Sequence, residues 1–180
     1  VSLQEYLNPP TKHKEEIKSQ DRIFRIGDKV MQIKNDYDLV WKLYGKNRYV
    51  LESGEGAFNG DTGIVTDISS FDKTLAVTFD DGHVVEYSFA QLDELELAYA
   101  ITIHKSQGSE YPAVLIPLLR GPMQLYNRNL IYTAITRAKK CVTIIGKCEV
   151  FYDMIDNTFE NRRYSRLCDI LKERIATKEI

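Results

Sequence analysis

The stretch "QLYNRNLIYTAITRAKKCVTIIG" (Gln124 to Gly146) indicates the fold class of the second half of the chain. The run "CVTIIG" is continuously apolar, which is typical of a buried parallel strand. Further candidates for buried strands are "AYAITI" (Ala98 to Ile103) and "AVLIPLL" (Ala113 to Leu119). Strands that alternate with a helix predict an α/β layer. The helix is predicted by apolar residues at helical spacing, namely Leu130, Ile131, Ala134, Ile135 and Ala138.

Between Asp28 and Leu97 apolar residues alternate with polar ones, which predicts short β-strands. The clearest runs are "DKVMQIK", "DTGIVTDI", "KTLAVTF" and "HVVEYSF", and the turn "FDDGH" joins the last two as a hairpin. Closely spaced antiparallel strands indicate a small barrel. We interpret the connection from Asn35 to Asn59, which contains three glycines, as a flexible loop. The segment from Ser165 to Ile175 is predicted to be an amphipathic helix.

Composition places the chain among ordinary globular proteins. With 180 residues, of which 43% are hydrophobic and 28% charged, it can form one domain or two small ones. Its apolar runs are too short to cross a bilayer, so we expect no membrane partner. The first residues lack the pattern of a secretory signal, and they also lack an initiator Met. We therefore expect the chain to be a piece of a longer protein.

The cysteines argue against a disulfide framework and against a zinc site. Cys141, Cys148 and Cys168 are odd in number and show no CxxC spacing. We accordingly predict no metal ligands in this chain, and we expect a reducing, cytoplasmic compartment. Because Cys141 begins the apolar run "CVTIIG", its thiol is predicted to be buried and structural.

The net charge of −2 conceals two oppositely charged segments. From Ile101 to Cys148, seven Lys or Arg stand against one acid, Glu110, which gives +6. From Tyr49 to Ala98, eleven Asp or Glu stand against Lys73 alone, which gives −10. The basic segment suits a polyanionic ligand such as nucleic acid, and the acidic segment does not.

Eight residues of the basic segment, "HKSQGSEY" (His104 to Tyr111), concentrate short polar groups around one glycine. A chain that leaves a strand through a glycine can turn N–H groups, hydroxyls and a cation toward a phosphate. A surface loop that satisfies its own polar groups explains the same residues, and the local sequence leaves both interpretations open. A phosphate loop of the form GxxxxGK[ST] is absent from the sequence, so the chain is not a complete ATPase.

Two motifs carry a resemblance to a known family: "AITIHKSQGSEYPAVLI" (Ala100 to Ile116) and "NLIYTAITRAKKCVTIIG" (Asn129 to Gly146). They resemble motifs V and VI of superfamily 1 helicases. Together with "GDKVMQIKNDYD" and "FNGDTGIV" upstream, they are similar to the C-terminal portion of RecD-like helicases, the family that includes the exodeoxyribonuclease V alpha subunit. The resemblance covers almost the entire chain.

The resemblance implies an α/β fold: a partial RecA-like motor domain of the P-loop NTPase type, with an inserted small all-β Src-homology-3-like barrel. Residues 1–25 would end the first portion of the second motor domain, and residues 26–97 would form the barrel. Residues 98–180 would complete the motor domain with motifs V and VI. The phosphate loop and the Mg²⁺-binding acid would lie upstream of Val1, so ATP and Mg²⁺ would be bound mainly there.

Within the first motif, the resemblance implies two sets of ligand contacts. The residues that would face the backbone of single-stranded DNA are Thr102, His104 and Lys105. The residues that would approach ATP across the cleft between motor domains are Gln107, Gly108 and Glu110. Without the second motif, the better interpretation is a loop in which the hydroxyls of Ser106 and Ser109 cap helix N–H groups.

Arg137 in "TAITRAKK" matches the arginine of the family's motif VI. By resemblance it is an ATP contact and a catalytic residue, a finger that reaches the γ-phosphate bound by the other motor domain. A planar cation there stabilises the charge of the transferring group. Thr133 and Tyr126 are predicted to share its helical face and to position it. An isolated arginine at a helix end would instead complement the helix dipole.

The function implied by the resemblance is that of the C-terminal part of an ATP-dependent DNA helicase, which moves 5′ to 3′ on single strands and serves recombination and repair. Its partners would be single-stranded DNA, the upstream motor domain of the same polypeptide, and nuclease or helicase subunits. This chain alone is predicted to be inactive. Two alternatives stay open: the motor half of a related RNA helicase or relaxase-helicase, and a nonenzymatic module that stacks nucleic acid on Trp41, Tyr44 and Tyr49 beside Arg48.

Overall fold

The alternating segments in the first half of the chain form β-strands, as predicted. The computed structural model describes residues 2–12, 14–122, 124–159 and 166–176, and it divides into two units, Val1–Ser109 and Glu110–Ile180. The described elements of the first unit are α1 (Leu3–Leu7), β1 (Glu16–Ser19), β2 (Arg22–Arg25), β3 (Lys29–Gln32), β4 (Asp36–Tyr44), β5 (Val50–Ala57), β6 (Thr62–Ser69), β7 (Thr74–Phe79), β8 (Val84–Ser88), a 3-10 helix (Phe89–Glu94) and β9 (Leu95–Leu97).

Strands β3 to β9 form one antiparallel sheet in the spatial order β5-β4-β8-β7-β6-β3-β9, and β1 pairs with β2 as a separate hairpin. The turn between β7 and β8 is the predicted hairpin, because the N–H of Phe79 donates to the carbonyl of His83 at 2.8 Å. Gly82 takes a φ of +91° in this turn, which suits glycine. Gly63 in β6 leaves no room for a side chain, since a Cβ there would lie 2.6 Å from the Thr78 carbonyl oxygen.

The period-2 pattern places one face of the sheet in a single apolar core. In β7 the buried positions alternate strictly, with Leu75, Val77 and Phe79 inside. Each fully buried side chain of this kind contributes roughly 1.5–3 kcal/mol relative to exposure, so the core dominates the stability of this unit. Its buried members are Phe24, Val30, Leu39, Ala57, Val65, Ile68, Leu75, Val77, Phe79, Val85, Tyr87, Leu92 and Leu95.

The connection from Asn35 to Asn59 is an ordered hairpin of β4 and β5, so its prediction as a flexible loop was wrong. Gly54 lies opposite Trp41 in the register, and a Cβ on it would approach the indole ring to 2.4 Å. The ring of Trp41 also stacks on His83, with ring centroids 4.0 Å apart. The glycine therefore makes room for an aromatic ring rather than loosening the chain.

The segment from Ala98 to Ile103 is not a strand, so that prediction was also wrong. The N–H of Ala98 still donates to the carbonyl of Lys29 at 2.8 Å, directly after β9. Lys29 is the first residue of β3, and the residues before it form a turn in which Gly27 has a φ of +89°. Among the described residues, no strand pairs with residues 99–103, and alternation alone cannot form a strand without a partner.

The second unit has the strand–helix–strand order that the sequence predicts. β10 pairs with β11 in parallel, with Val114 opposite Val142. Asn127 caps the helix between them by accepting a hydrogen bond from the Leu130 N–H at 2.9 Å. The helix is shorter than predicted, because Ala138 already belongs to the next strand. The described elements are β10 (Tyr111–Leu118), α2 (Arg128–Ile135), β11 (Ala138–Gly146), α3 (Cys148–Asp156) and α4 (Leu167–Ala176).

The predicted C-terminal helix corresponds to α4, although Ser165, the first residue of that prediction, lies outside the described residues. The strand β11 is exposed along its length, with Val142 and Ile145 at 37% and 56% exposure. Cys141 is exposed as well, so its prediction as a buried thiol was wrong. The apolar run identifies a strand correctly, but burial requires layers on both faces of a parallel sheet. Across the described ranges, no helix has the length and apolar character needed to span a membrane.

Candidate functional site

The predicted site residues are divided between the two units of the structure. The second unit contains Glu110 and Arg137. The first unit contains Thr102, His104, Lys105, Gln107 and Gly108. The structure therefore forms two groups, each with its own local geometry.

The first group lies on consecutive turns that follow β9. The carbonyl of Thr102 accepts a hydrogen bond from the Ser106 N–H at 3.1 Å, and the Thr102 hydroxyl accepts one from the Lys105 N–H at 3.3 Å. Ser106 is buried and donates its hydroxyl to the carbonyl of Ile103 at 2.7 Å. These bonds satisfy the interior of the turns, whereas the side chains of His104 and Gln107 are exposed. The turns therefore present polar side chains to solvent on a locally bonded backbone.

Lys105 forms an ion pair with Glu96 of β9. The two side chains are 36% and 38% exposed, so solvent screens the pair and its contribution is small. Sequence reasoning did not identify Glu96. It is one acid among many in an acidic segment, and no local pattern marks it as the ion-pair partner of Lys105. A cleft of about 90 Å³ beside the pair is lined by Met31, Glu96, Leu97, Ala100, Ile101, Thr102 and Lys105.

In the second unit, the residues from the two motifs meet where the parallel strands begin. Tyr111 donates its N–H to the carbonyl of Arg137 at 2.8 Å, and it pairs in register with Ala138. Glu110 lies 3.2 Å from the ammonium of Lys139. The parallel pairing of β10 and β11 therefore brings Glu110 and Arg137 together, although the two motifs are separated by a helix.

Arg137 occupies the turn between α2 and β11. Its Nε donates to the carbonyl of Thr133 at 3.3 Å, and one terminal nitrogen donates to the Thr136 hydroxyl at 3.4 Å. Arg137 thus contacts the backbone carbonyl of Thr133, whereas the Thr133 hydroxyl donates to the Asn129 carbonyl at 2.8 Å, so positioning by the Thr133 side chain stays a prediction. Tyr126 does not share the face of α2, because it precedes the helix and its ring lies against Gly121. A cation beside the last carbonyls also complements the helix dipole, so the contact with a γ-phosphate stays a prediction.

Two of the predicted site residues, Gln107 and Arg137, carry donors that suit a phosphate oxygen. The Arg137 guanidinium can donate in a planar fork, the Gln107 amide nitrogen carries two donor hydrogens, and Gly108 adopts a φ of +88°. Among the described residues, no group of three His, Cys, Asp or Glu is placed to hold a metal ion. The nucleotide contacts that the resemblance implies for these residues stay predictions.

The residues of the stacking alternative lie on the β4–β5 hairpin. Trp41 is half-buried against His83 and Gly54, so it serves packing. Tyr44 and Tyr49 are 38% and 56% exposed near the end of the hairpin. Two tyrosines therefore remain available for stacking, rather than three aromatic residues.

Two family models match the chain, one in its N-terminal part and one across the two motifs. Residues 1–79 match the family described as the SH3 domain of ATP-dependent RecD-like DNA helicases. Residues 97–145 match the UvrD-like helicase C-terminal domain, and this range includes every predicted site residue. The class of protein defined by the fold and by these motifs is that of the helicases.

Sequence similarity to known proteins identifies the family within the helicases. The chain is 41% identical over 115 residues to the ATP-dependent RecD2 DNA helicase of Deinococcus radiodurans, covering 64% of this chain and 13% of that protein. It is 36% identical over 121 residues to the RecBCD enzyme subunit RecD of Mycolicibacterium smegmatis, covering 67% of this chain and 18% of that protein. The chain belongs to the RecD-like helicase family. It spans less than a fifth of the length of these two relatives.

A solved structure supports the fold. The chain is similar to the crystal structure of Pif1 helicase from Bacteroides in complex with ADP-AlF3 and ssDNA, with a TM-score of 0.51 and 19% identity. The similarity covers 98% of this chain and 42% of that chain. Together with the SH3 match, it confirms the predicted fold class, a partial RecA-like α/β domain with an SH3-like barrel. The boundaries at residues 25 and 97 stay predictions.

Proposed function

We propose that this chain is the C-terminal part of an ATP-dependent DNA helicase that moves 5′ to 3′ along single-stranded DNA in recombination and repair. The observation that carries the proposal is the pairing at the start of β10 and β11, where Tyr111 bonds the carbonyl of Arg137. This pairing joins the end of one helicase motif to the arginine of the other. A residue that senses nucleotide can thereby be coupled to the segment that contacts DNA.

The proposal gives each side chain a role. Arg137 stabilises charge on the γ-phosphate of ATP, because a fixed guanidinium suits a transferring phosphoryl group. The further nucleotide contacts are Gln107, Gly108 and Glu110. The contacts to the DNA backbone are Thr102, His104 and Lys105.

We propose that most of the ATP and Mg²⁺ site lies in an upstream motor domain of the same polypeptide. The apolar side chains of Val142, Ile144 and Ile145 on β11 are 37–56% exposed, which suits coverage by further motor structure. Residues 1–25 and 98–180 would belong to the second motor domain, and residues 26–97 to the inserted barrel.

The exposed free thiols of Cys141 and Cys148 favour a reducing compartment, the cytoplasm. Nuclease or helicase subunits are candidate partners there.

The test is an assay of the full-length protein that contains this chain. We expect ATP hydrolysis to be stimulated by single-stranded DNA, and we expect duplexes with a 5′ tail to be unwound in preference to those with a 3′ tail. Matched RNA tails serve as the control. A preference for RNA would support the RNA helicase alternative, and binding without hydrolysis would support the nonenzymatic module.

The 180-residue chain alone is expected to hydrolyse no ATP, since its sequence contains no phosphate loop. The measurement is phosphate release by the purified chain, with and without single-stranded DNA. Turnover that disappears in the Arg137→Ala variant would contradict this prediction, because a contaminating ATPase would not depend on Arg137.

Lys105 is expected to add one phosphate contact. Lys105→Ala in the full-length protein should reduce the salt dependence of DNA binding by about one unit of slope in a plot of log affinity against log salt. Glu96→Gln should tighten binding by about two- to fivefold, because the lysine then loses a weak competing partner. The measurement is fluorescence anisotropy with labelled oligothymidine over a range of salt concentrations.

Asp93→Asn provides a matched control, since it removes the acid of another surface ion pair, Lys34–Asp93, in the same unit. We expect this variant to bind DNA like the wild type. Equal tightening by Glu96→Gln and Asp93→Asn would show that only the net charge matters, and an unchanged slope in Lys105→Ala would place the lysine away from DNA.

A further inference from the structure

A fully buried carboxylate, Asp28, accepts hydrogen bonds from several directions. Its Oδ1 accepts from the Asn8 amide and from the Tyr99 hydroxyl, each at 2.7 Å. Its Oδ2 accepts from the Gln4 amide at 2.6 Å and from the Arg25 N–H at 2.7 Å. Four donors thus converge on one side chain with no solvent exposure.

The same side chain links three parts of the first unit. Gln4 and Asn8 belong to α1 and its C-terminal cap, and the N–H of Arg25 belongs to the last residue of β2. The backbone of Asp28 is itself fixed to β6, because its carbonyl accepts from the Val65 N–H at 2.9 Å. Asp28 is therefore held firmly in the sheet. Its hydrogen bond with Tyr99 can position the segment that follows β9.

Tyr99 stands between the end of the sheet and the DNA-contacting turns. The hydrogen-bond ladder of the sheet ends where the Ala98 N–H donates to the Lys29 carbonyl, and the turns begin at Thr102. Tyr99 lies between these two points in the sequence, and its hydroxyl donates a hydrogen bond to Asp28. Burial and the Asp28 carboxylate raise the pKa of Tyr99 to about 12, so the hydroxyl remains a donor at neutral pH.

We propose that Asp28 and Tyr99 are positioning residues that hold the turns from Thr102 to Lys105 in the conformation that binds the DNA backbone. This inference rests on the proposed function. A tyrosine side chain has few rotatable bonds, and its charge-assisted hydrogen bond to an immobile carboxylate fixes the backbone three residues before Thr102. Without this bond, DNA binding must also order the turns, which weakens the affinity.

The test compares two variants of the full-length protein that each remove one tyrosine hydroxyl. Tyr99→Phe deletes the bond to Asp28. Tyr87→Phe is the matched control, because the Tyr87 hydroxyl donates to Gln32 at 2.9 Å inside the same barrel. We expect Tyr99→Phe to raise the DNA concentration for half-maximal ATPase stimulation about tenfold, with the basal rate and the KM for ATP unchanged. Tyr87→Phe should leave all three quantities unchanged.

Hydrogen exchange provides a readout that does not depend on the proposed function. In the absence of DNA, Tyr99→Phe should accelerate amide exchange in residues 100–109 several-fold, and Tyr87→Phe should not. Unchanged exchange in this segment would overturn the inference, as would equal changes in the DNA dependence of both variants. Accelerated exchange in a protein whose ATPase ignores DNA would leave the positioning intact and overturn the proposed function.

Discussion

Replacing Arg137 by Ala in the full-length protein is expected to lower DNA-stimulated ATP turnover by roughly 10³-fold or more. The guanidinium acts mainly on charge that develops at the γ-phosphate, so its loss raises the barrier of the chemical step. Affinity for single-stranded DNA without nucleotide should stay close to that of the wild type. Alanine retains the backbone carbonyl that accepts from Tyr111, so the pairing of β10 and β11 is preserved.

Three further variants separate the roles of the two motifs. Arg137→Lys should not restore turnover, since an ammonium cannot reproduce the planar fork of a guanidinium. His104→Ala and Thr102→Ala should show the opposite pattern to Arg137→Ala, with weaker DNA binding and little loss of nucleotide affinity. The measurements are ATPase rates with and without saturating single-stranded DNA, together with equilibrium DNA binding. Weak DNA binding with intact basal hydrolysis in Arg137→Ala would identify the arginine as a backbone clamp or helix cap.

The elements that could be predicted are those that local periodicity specifies. The alternation in β7 and the helical spacing before β11 each require only neighbouring residues, and both elements formed, although the helix ends at Ile135 rather than at Ala138. The positions of the motifs also follow from the sequence, since Glu110 and Arg137 flank strands that pair in parallel. The roles of these two residues as contacts to ATP stay predictions.

Other features depend on partners that are distant in the sequence. In the sequence, Gly54 resembles a loop residue. In the structure, the ring of Trp41 packs directly against it. The run from Ala98 to Ile103 has the composition of a strand, but the partner strand begins at Lys29 and leaves it unpaired. The bond between Tyr99 and Asp28 joins residues 71 positions apart, and neither residue carries a local signal of the other. Tertiary contacts override local preference at these positions.

The second large effect is expected in stability. Asp28→Ala should lower the free energy of unfolding of the first unit by about 3–5 kcal/mol, because it removes the buried acceptor that Gln4, Asn8, Tyr99 and Arg25 share and leaves a cavity in its place. The chain has a single tryptophan, Trp41, which is packed in this unit. Its fluorescence during urea unfolding therefore measures the stability of the unit that contains Asp28.

Two variants control this measurement. Asp93→Ala removes an exposed carboxylate from the same unit and should change the unfolding midpoint little, because solvent already screens its pair with Lys34. Asp28→Asn should fall between Asp28→Ala and the wild type, since an amide offers one acceptor oxygen instead of two. If Asp28→Ala unfolds at the same urea concentration as Asp93→Ala, the four hydrogen bonds contribute little. The carboxylate would then be tolerated in the barrel rather than required for the attachment of α1 and Tyr99 to the sheet.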